Sequence, residues 1–144
     1  MFRFLTSLII IVAASLLQIS DIFIFGIKPN ILLVSLLALS IINNLWIQRI
    51  ILVLSSVVVL NFYPMISFGS IFDLRLLFFA AIAVLAITLI DYAPWTNLIN
   101  LSLAVVLSTI ILNIYNFDLT SVVLESLYNI LLSLLILLVI NRFI

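Results

Sequence analysis

Glu125 is the one acid of this chain that falls well inside an apolar run. An ionisable side chain in such a place is a functional candidate by default, because charge in hydrocarbon is costly unless something there pairs or uses it. At 100° per residue, Ser121, Glu125, Ser126, Asn129 and Ser133 fall within an arc of about 140° on a helix, with Tyr128 on its flank. The rest of that segment is mostly Leu, Ile and Val. A polar stripe of this kind faces other helices rather than lipid. Two readings of it stand side by side. Asn and Ser can serve as packing glue between helices, worth about 0.6 kcal/mol each on average. Glu125 can be held structurally, by an Arg or by amides at a helix start, or it can bind a partner or a ligand. Asn61 and Tyr63 close the third apolar run, and Asn113 and Tyr115 close the fifth. With up-and-down helices, these ends and Glu125 lie in the same half of a bundle.

Other chemistry lacks its parts. Among 144 residues there is no Cys and no His. Thiolate nucleophiles, disulfides, zinc–thiolate sites and the usual general base are therefore excluded. With two Gly and no His, neither a Gly-rich phosphate loop nor HExxH nor a Ser–His pair can be written. A proton relay needs a chain of acids or His, which is missing. Asp21, Asp73, Asp91 and Asp118 are scattered over separate loops and read as helix caps and interfacial charges. The expectation is a binding protein, not an enzyme, with no cofactor and no metal. Five Lys/Arg balance five Asp/Glu and never cluster, so neither nucleic acid nor a polybasic contact with lipid is expected.

The elements that must position these residues follow from composition. The chain is 68% hydrophobic and 7% charged, against roughly 45–50% and about 25% in ordinary soluble domains. Such a chain cannot cover a soluble surface with polar groups, and disordered chains are polar. The expected class is an all-α, polytopic membrane protein, a six-transmembrane-helix bundle in one domain, residues 1–144. The spans read at about 4–19, 31–43, 47–63, 74–90, 98–115 and 121–140, and six spans of about 20 residues leave little for loops. Ala13-Ala14-Ser15 in the first span resembles a signal-peptidase site. An uncleaved helix is the better reading, because everything downstream is apolar as well.

Ser20 to Asn30 breaks the pattern with Gly26, Lys28 and Pro29, and Ile22 to Phe25 suits a membrane surface. Pro29 fits the first turn of a helix, with Asn30 or a neighbour satisfying free amides. Ile31 to Ile42 follows, about 18 Å long as helix and short against a hydrocarbon core of about 30 Å. After it, the chain either turns tightly at Asn43 to Gln48 or continues as one broken helix. The turn is favoured, because Arg49 in lipid costs roughly 2.5–3.5 kcal/mol, whereas at a turn it lies among head groups. Asn61 to Asp73 is a second irregular stretch, with Pro64 and Gly69, and Asp91 to Asn97 is a loop with Tyr92, Trp95 and a capping Thr96. Ala80, Ala81, Ala83 and Ala86, with Ala104 and Ser108, allow close helix contacts, read as internal rather than between copies. With the N-terminus inside, Arg3, Arg49 and Arg142 lie on the inner side, against Lys28 and Arg75 outside. That balance favours both termini in the cytoplasm.

Taken in order along the whole chain, three motifs resemble those of the rod shape-determining protein MreD family. Gly26-Ile-Lys28-Pro29-Asn30 before a short apolar run looks like the family's lead-in to its second span. Pro64-x-x-x-Phe68-Gly69 resembles its proline–phenylalanine–glycine turn, and Glu125-x-x-Tyr128-Asn129 its closing pattern, with Arg142 as the terminal basic residue. The chain departs from the family at Asn61, where an aspartate is frequent, and in the loops at Asn43–Arg49 and Asp91, which carry fewer basic residues. The resemblance implies a non-catalytic inner-membrane component of the bacterial cell-elongation complex. Its partners would be lipid and the proteins MreC, RodA and penicillin-binding protein 2, with MreB indirectly. The family is also similar in fold to the S components of energy-coupling-factor transporters, so a substrate-binding subunit for small-molecule uptake is the alternative. A further alternative is another small helical membrane subunit, such as an assembly or lipid-associated protein.

Overall fold

The segment Ile31–Ile42 is apolar on every face, broken only by Ser35 and Ser40. A helix of that kind needs shielding from water all round, by protein or by lipid. In the computed structural model, which describes residues 2–20, 23, 26–62, 74–114 and 118–143, it is covered so completely that Leu32 to Ser40 are all buried. Its two serines bond inward to their own helix, Ser35 Oγ donating to Ile31 O and Ser40 Oγ to Leu37 O. The described residues form an all-helical fold: α1 (Phe2–Ile19), α2 (Ile31–Ile42), α3 (Trp46–Phe62), α4 (Leu74–Tyr92), α5 (Asn97–Leu112) and α6 (Leu119–Phe143). The five other helices all contact α2. Around it, α1 packs on α3, α3 on α4, α4 on α5 and α5 on α6.

Among the described residues, α1, α4 and α6 are long and apolar enough to cross a membrane, while α2, α3 and α5 are shorter apolar helices. The outward surface is apolar as well, with Ile9, Leu85, Leu131 and Leu138 among its exposed side chains. The chain does turn between α2 and α3, at residues 43–45. Past that turn α3 moves away from α2 and packs chiefly on α1 and α4. Ala83 and Ala86 of α4 and Ala104 and Ser108 of α5 are buried, so these small residues serve contacts inside the bundle. Ala81 faces outward.

Some ends differ from the sequence expectation. Pro29 precedes the N-cap rather than opening the first turn, because Asn30 takes the cap position, its Oδ1 accepting from Leu33 N–H at 3.0 Å. Gly26 has φ +82°, and a Cβ there would meet nothing within 4 Å. The backbone conformation alone therefore favours glycine. Thr96 stands at the N-cap of α5, but its hydroxyl makes no capping bond. α5 stops at Leu112 rather than Tyr115, with Asn113 at the C-cap. α6 runs past Ile140 through Asn141 and Arg142, a cation suited to the negative end of the helix dipole. The surface segment expected at Ile22–Phe25 falls, Phe23 apart, outside the described residues, as do Asp21, Tyr63, Pro64, Phe68, Gly69, Asp73 and Tyr115.

Candidate functional site

A buried helix has amides and carbonyls at its ends that need partners where water is excluded. The two ends of α2, about 18 Å apart along its axis, are where the polar side chains of the bundle gather.

At the N-terminal end, Leu32 N–H donates to Gln18 Oε1 at 3.3 Å and Leu33 N–H to Asn30 Oδ1. The backbone N–H of Asn30 donates to Asn129 Oδ1 at 2.9 Å. Asn129, fully buried, donates in turn from Nδ2 to Thr109 Oγ1 at 3.0 Å. One carboxamide of α6 thus joins α2 to α5. One turn nearer the start of α6, Glu125 accepts from Asn113 Nδ2 at 2.9 Å, and the same amide donates to Thr109 O. Glu125 is held by the carboxamide that ends α5, and it remains half-buried. Ser126 and Ser133 are buried, Tyr128 is half-buried on the flank of the stripe, and Ser121 is exposed. Of the residues read from sequence as binding candidates, Glu125, Asn113 and Asn129 come together, with Tyr128 beside them. Asn61 does not join them. It is exposed on α3, which packs on α1 and α4, away from α5 and α6.

No family model, curated protein or solved structure matches the chain.

At the C-terminal end of α2, Asn43 is buried and donates from Nδ2 to Leu39 O and to Ser7 Oγ, each at 2.9 Å. Its carbonyl accepts from Arg49 Nε at 2.6 Å. Arg49 also forms an ion pair with Asp91, and its guanidinium lies 5.9 Å from the centre of the Trp46 ring. Arg49 lies just past the turn where the sequence places it and is only 7% exposed, because the start of α3 and the end of α4 lie together and Asp91 pairs with the guanidinium. Asp91 is an ion-pair partner rather than a free interfacial charge. A cavity of about 200 Å³ opens beside the pair, lined by Ile41, Asn44, Arg49, Ile90, Asp91 and Asn97. Opposite charges near the start of one helix and the end of the next meet when the two helices are antiparallel neighbours, as α3 and α4 are here, a condition that neither charge signals by itself.

Asn100 was not singled out from sequence. It is buried, and its Nδ2 faces the carbonyls of Ile90, Ala93 and Trp95 at 3.0, 3.0 and 3.3 Å, closing the end of α4. Among the described residues its Oδ1 has no partner.

Asp118 caps α6, its Oδ2 accepting from Ser121 N–H at 3.0 Å and from the Ser121 hydroxyl. The hydroxyl first, then the backbone N–H, hold this exposed carboxyl below its ordinary value of 3.8. A lowered folded-state value means that the cap contributes above the ordinary value and is lost as pH falls through the folded one. The Ser121 amide proton resonance is therefore expected to titrate below pH 3.8 and to lose that titration in Asp118→Ala. A midpoint at or above the ordinary value would contradict the cap.

Among the described residues, no group of three or more His, Cys, Asp or Glu could hold a metal ion. The N-terminal cluster consists of carboxamides and a hydroxyl that bond to one another around one carboxylate. Such a network orders helices and can present a charge to a neighbour. It places no activated nucleophile beside a base.

Proposed function

We propose that the chain is a six-span membrane protein and a non-catalytic component of the bacterial cell-elongation complex. It would act as a scaffold for other inner-membrane proteins of peptidoglycan synthesis. The bond between Asn30 and Asn129 carries this reading. Gly26–Asn30 and Glu125–Asn129 are two of the three segments that resemble the MreD family, and this bond joins them across 99 residues of chain. A membrane setting is supported by the apolar exterior and by the bonding of buried polar groups within the bundle, which a bilayer requires.

The shorter helices fit the same setting as parts of a bundle whose centre is α2. With both termini in the cytoplasm, the Glu125 end faces outward, toward the periplasmic partner MreC, and the Arg49 end faces the cytoplasm. The uptake-subunit alternative needs free polar groups around an outward pocket. Here Asn113, Asn129 and Thr109 are already bonded to one another or to Glu125, which favours the scaffold.

The test is co-purification with MreC, RodA and penicillin-binding protein 2 from cells carrying all of them. Glu125→Gln keeps an acceptor for Asn113 and is expected to leave thermal unfolding within about 1 kcal/mol, the worth of one such bond. Its co-purification with MreC is expected to fall at least several-fold. Unchanged recovery would remove Glu125 from the contact, and no recovery of any of the three partners with the unaltered protein would defeat the scaffold reading. Because the chain has no Cys, a single cysteine at exposed Asn44 reports orientation directly, labelling from the cytoplasmic side if the termini are inside.

A further inference from the structure

The cavity beside Arg49 and Asp91 is not used by the scaffold reading. Its lining combines one cation, one anion, two carboxamides and two isoleucines. Arg49 belongs to the framework, being only 7% exposed. Nε is spent on Asn43 O and one Nη1 hydrogen on Asp91, two of the five N–H groups a guanidinium carries. The remaining donors belong to a group that lines the cavity. Asp91 binds Arg49 through Oδ2, and its side chain is 26% exposed, so its other oxygen is open to a donor. Asn97 begins α5, and the Thr96 hydroxyl leaves that helix start uncapped. The first amides of α5 thus add donors and the positive end of a helix dipole to the same rim.

These groups select a ligand that carries both charges. A simple anion would meet Arg49 and the α5 start but also the Asp91 carboxylate. A simple cation would meet the reverse. A phosphate joined by a short link to an ammonium satisfies both ends, the phosphate on Arg49, Asn97 and the α5 amides, the ammonium on Asp91 and Asn44. Size agrees, because about 200 Å³ is below the roughly 300–1,000 Å³ of pockets that enclose drug-sized molecules and suits a head group whose tails stay outside. Position agrees too. Trp46, Tyr92 and Trp95 are exposed at this end, the placement of aromatic side chains at a membrane–water boundary.

We infer that this cavity binds a phosphoethanolamine group, the head of a zwitterionic phospholipid. The inference rests on the membrane reading and is independent of the elongation partners.

The purified protein is reconstituted in nanodiscs of phosphatidylethanolamine, phosphatidylcholine or phosphatidylglycerol in turn, and retained lipid is counted by native mass spectrometry after release into detergent. Retention of phosphatidylethanolamine is expected to exceed that of each other lipid at least fivefold. The choline head lacks N–H donors for Asp91, and the glycerol head lacks the cation. Asn44→Leu and Asn97→Leu alter the rim without touching the ion pair. Each is expected to cut that retention several-fold with thermal unfolding unchanged. Asp91→Asn is expected to abolish the preference for ethanolamine over glycerol while phosphate contact persists. Soluble phosphoethanolamine that displaces the lipid supports the same site with a free ligand, and failure to displace it supports the lipid. Equal retention of the three lipids, or full retention in both rim variants, overturns the inference. Resistance to carbonate extraction from native membranes reports insertion separately, so loss of the lipid result and loss of the membrane reading are distinguishable.

Discussion

Asp91→Ala is expected to destabilise the bundle by about 2–4 kcal/mol, more than most single substitutions in this chain. Removing one partner of a buried ion pair costs roughly 3–5 kcal/mol, because the other charge stays behind without compensation. The charge left behind is that of Arg49, which is only 7% exposed. Two features reduce the figure. A cavity of about 200 Å³ lies beside the pair, and the long Arg side chain can turn its charged end toward it while leaving its methylenes packed. Arg49→Met leaves Asp91 instead, whose side chain is 26% exposed, so the orphaned charge costs less. That variant also loses the bond to Asn43 O at the end of α2, worth about 1.5–3 kcal/mol for a charged donor. The two single variants should therefore be of similar size for different reasons. The double variant Arg49→Met with Asp91→Leu is expected to recover much of the Asp91→Ala loss, as apolar replacements of buried pairs often do. Unfolding by SDS in mixed micelles measures all of these. Single-variant losses below about 0.5 kcal/mol would mean that the pair contributes only what exposed salt bridges do.

How far the sequence announces this arrangement depends on which property is asked of it. The helices are legible because apolar runs bounded by Pro, Gly and Asn have few other solutions in so apolar a chain. The inward face of α6 is legible as well. On a 3.6-residue period Ser126, Asn129 and Ser133 share one side, and all three are buried. The central place of α2 is not legible, since a helix with no polar face can be shielded from water by lipid as well as by other helices. Side-chain direction was not legible. Asn61 and Asn113 look alike as carboxamides closing apolar runs, but Asn61 faces out on α3 and Asn113 bonds to Glu125. The difference lies in which helices are neighbours, a tertiary fact with no local signature. The pair of Arg49 with Asp91 was hidden for the same reason. Each charge sits acceptably at an interface by itself, and only the adjacency of α3 and α4 lets the exposed Asp91 hold the buried Arg49.

Asn129→Leu is the second large effect expected, about 2–3 kcal/mol, from a side chain that carries no charge. Leucine has the same branched four-atom skeleton as asparagine, so its shape follows the site although its methyl groups are bulkier. The cost comes from the groups left behind. Asn129 is fully buried and serves the Asn30 backbone N–H through Oδ1 and Thr109 Oγ1 through Nδ2. Thr109 retains an acceptor for its own hydrogen in Val105 O, at 2.8 Å, so the loss there is modest. The Asn30 N–H loses its acceptor in a part-buried bond, and an unpaired N–H shut off from water costs about 1–3 kcal/mol. Side-chain bonds between membrane helices average only about 0.6 kcal/mol, because polar side chains find other partners when a bundle loosens. A backbone amide fixed beside a buried helix start cannot do so, and for that reason the upper part of the range is expected. Thr109→Val isolates the other end of the bridge and should cost about 0.6 kcal/mol. Added to Asn129→Leu it should cost almost nothing more, since the bond it removes is already gone. Amide exchange locates the effect: in Asn129→Leu, protection is expected to fall at Asn30 and the first turn of α2 before it falls at Asn43. A uniform loss of protection along α2 would instead make Asn129 a general packing residue, and the link between the two family-like motifs would then be incidental.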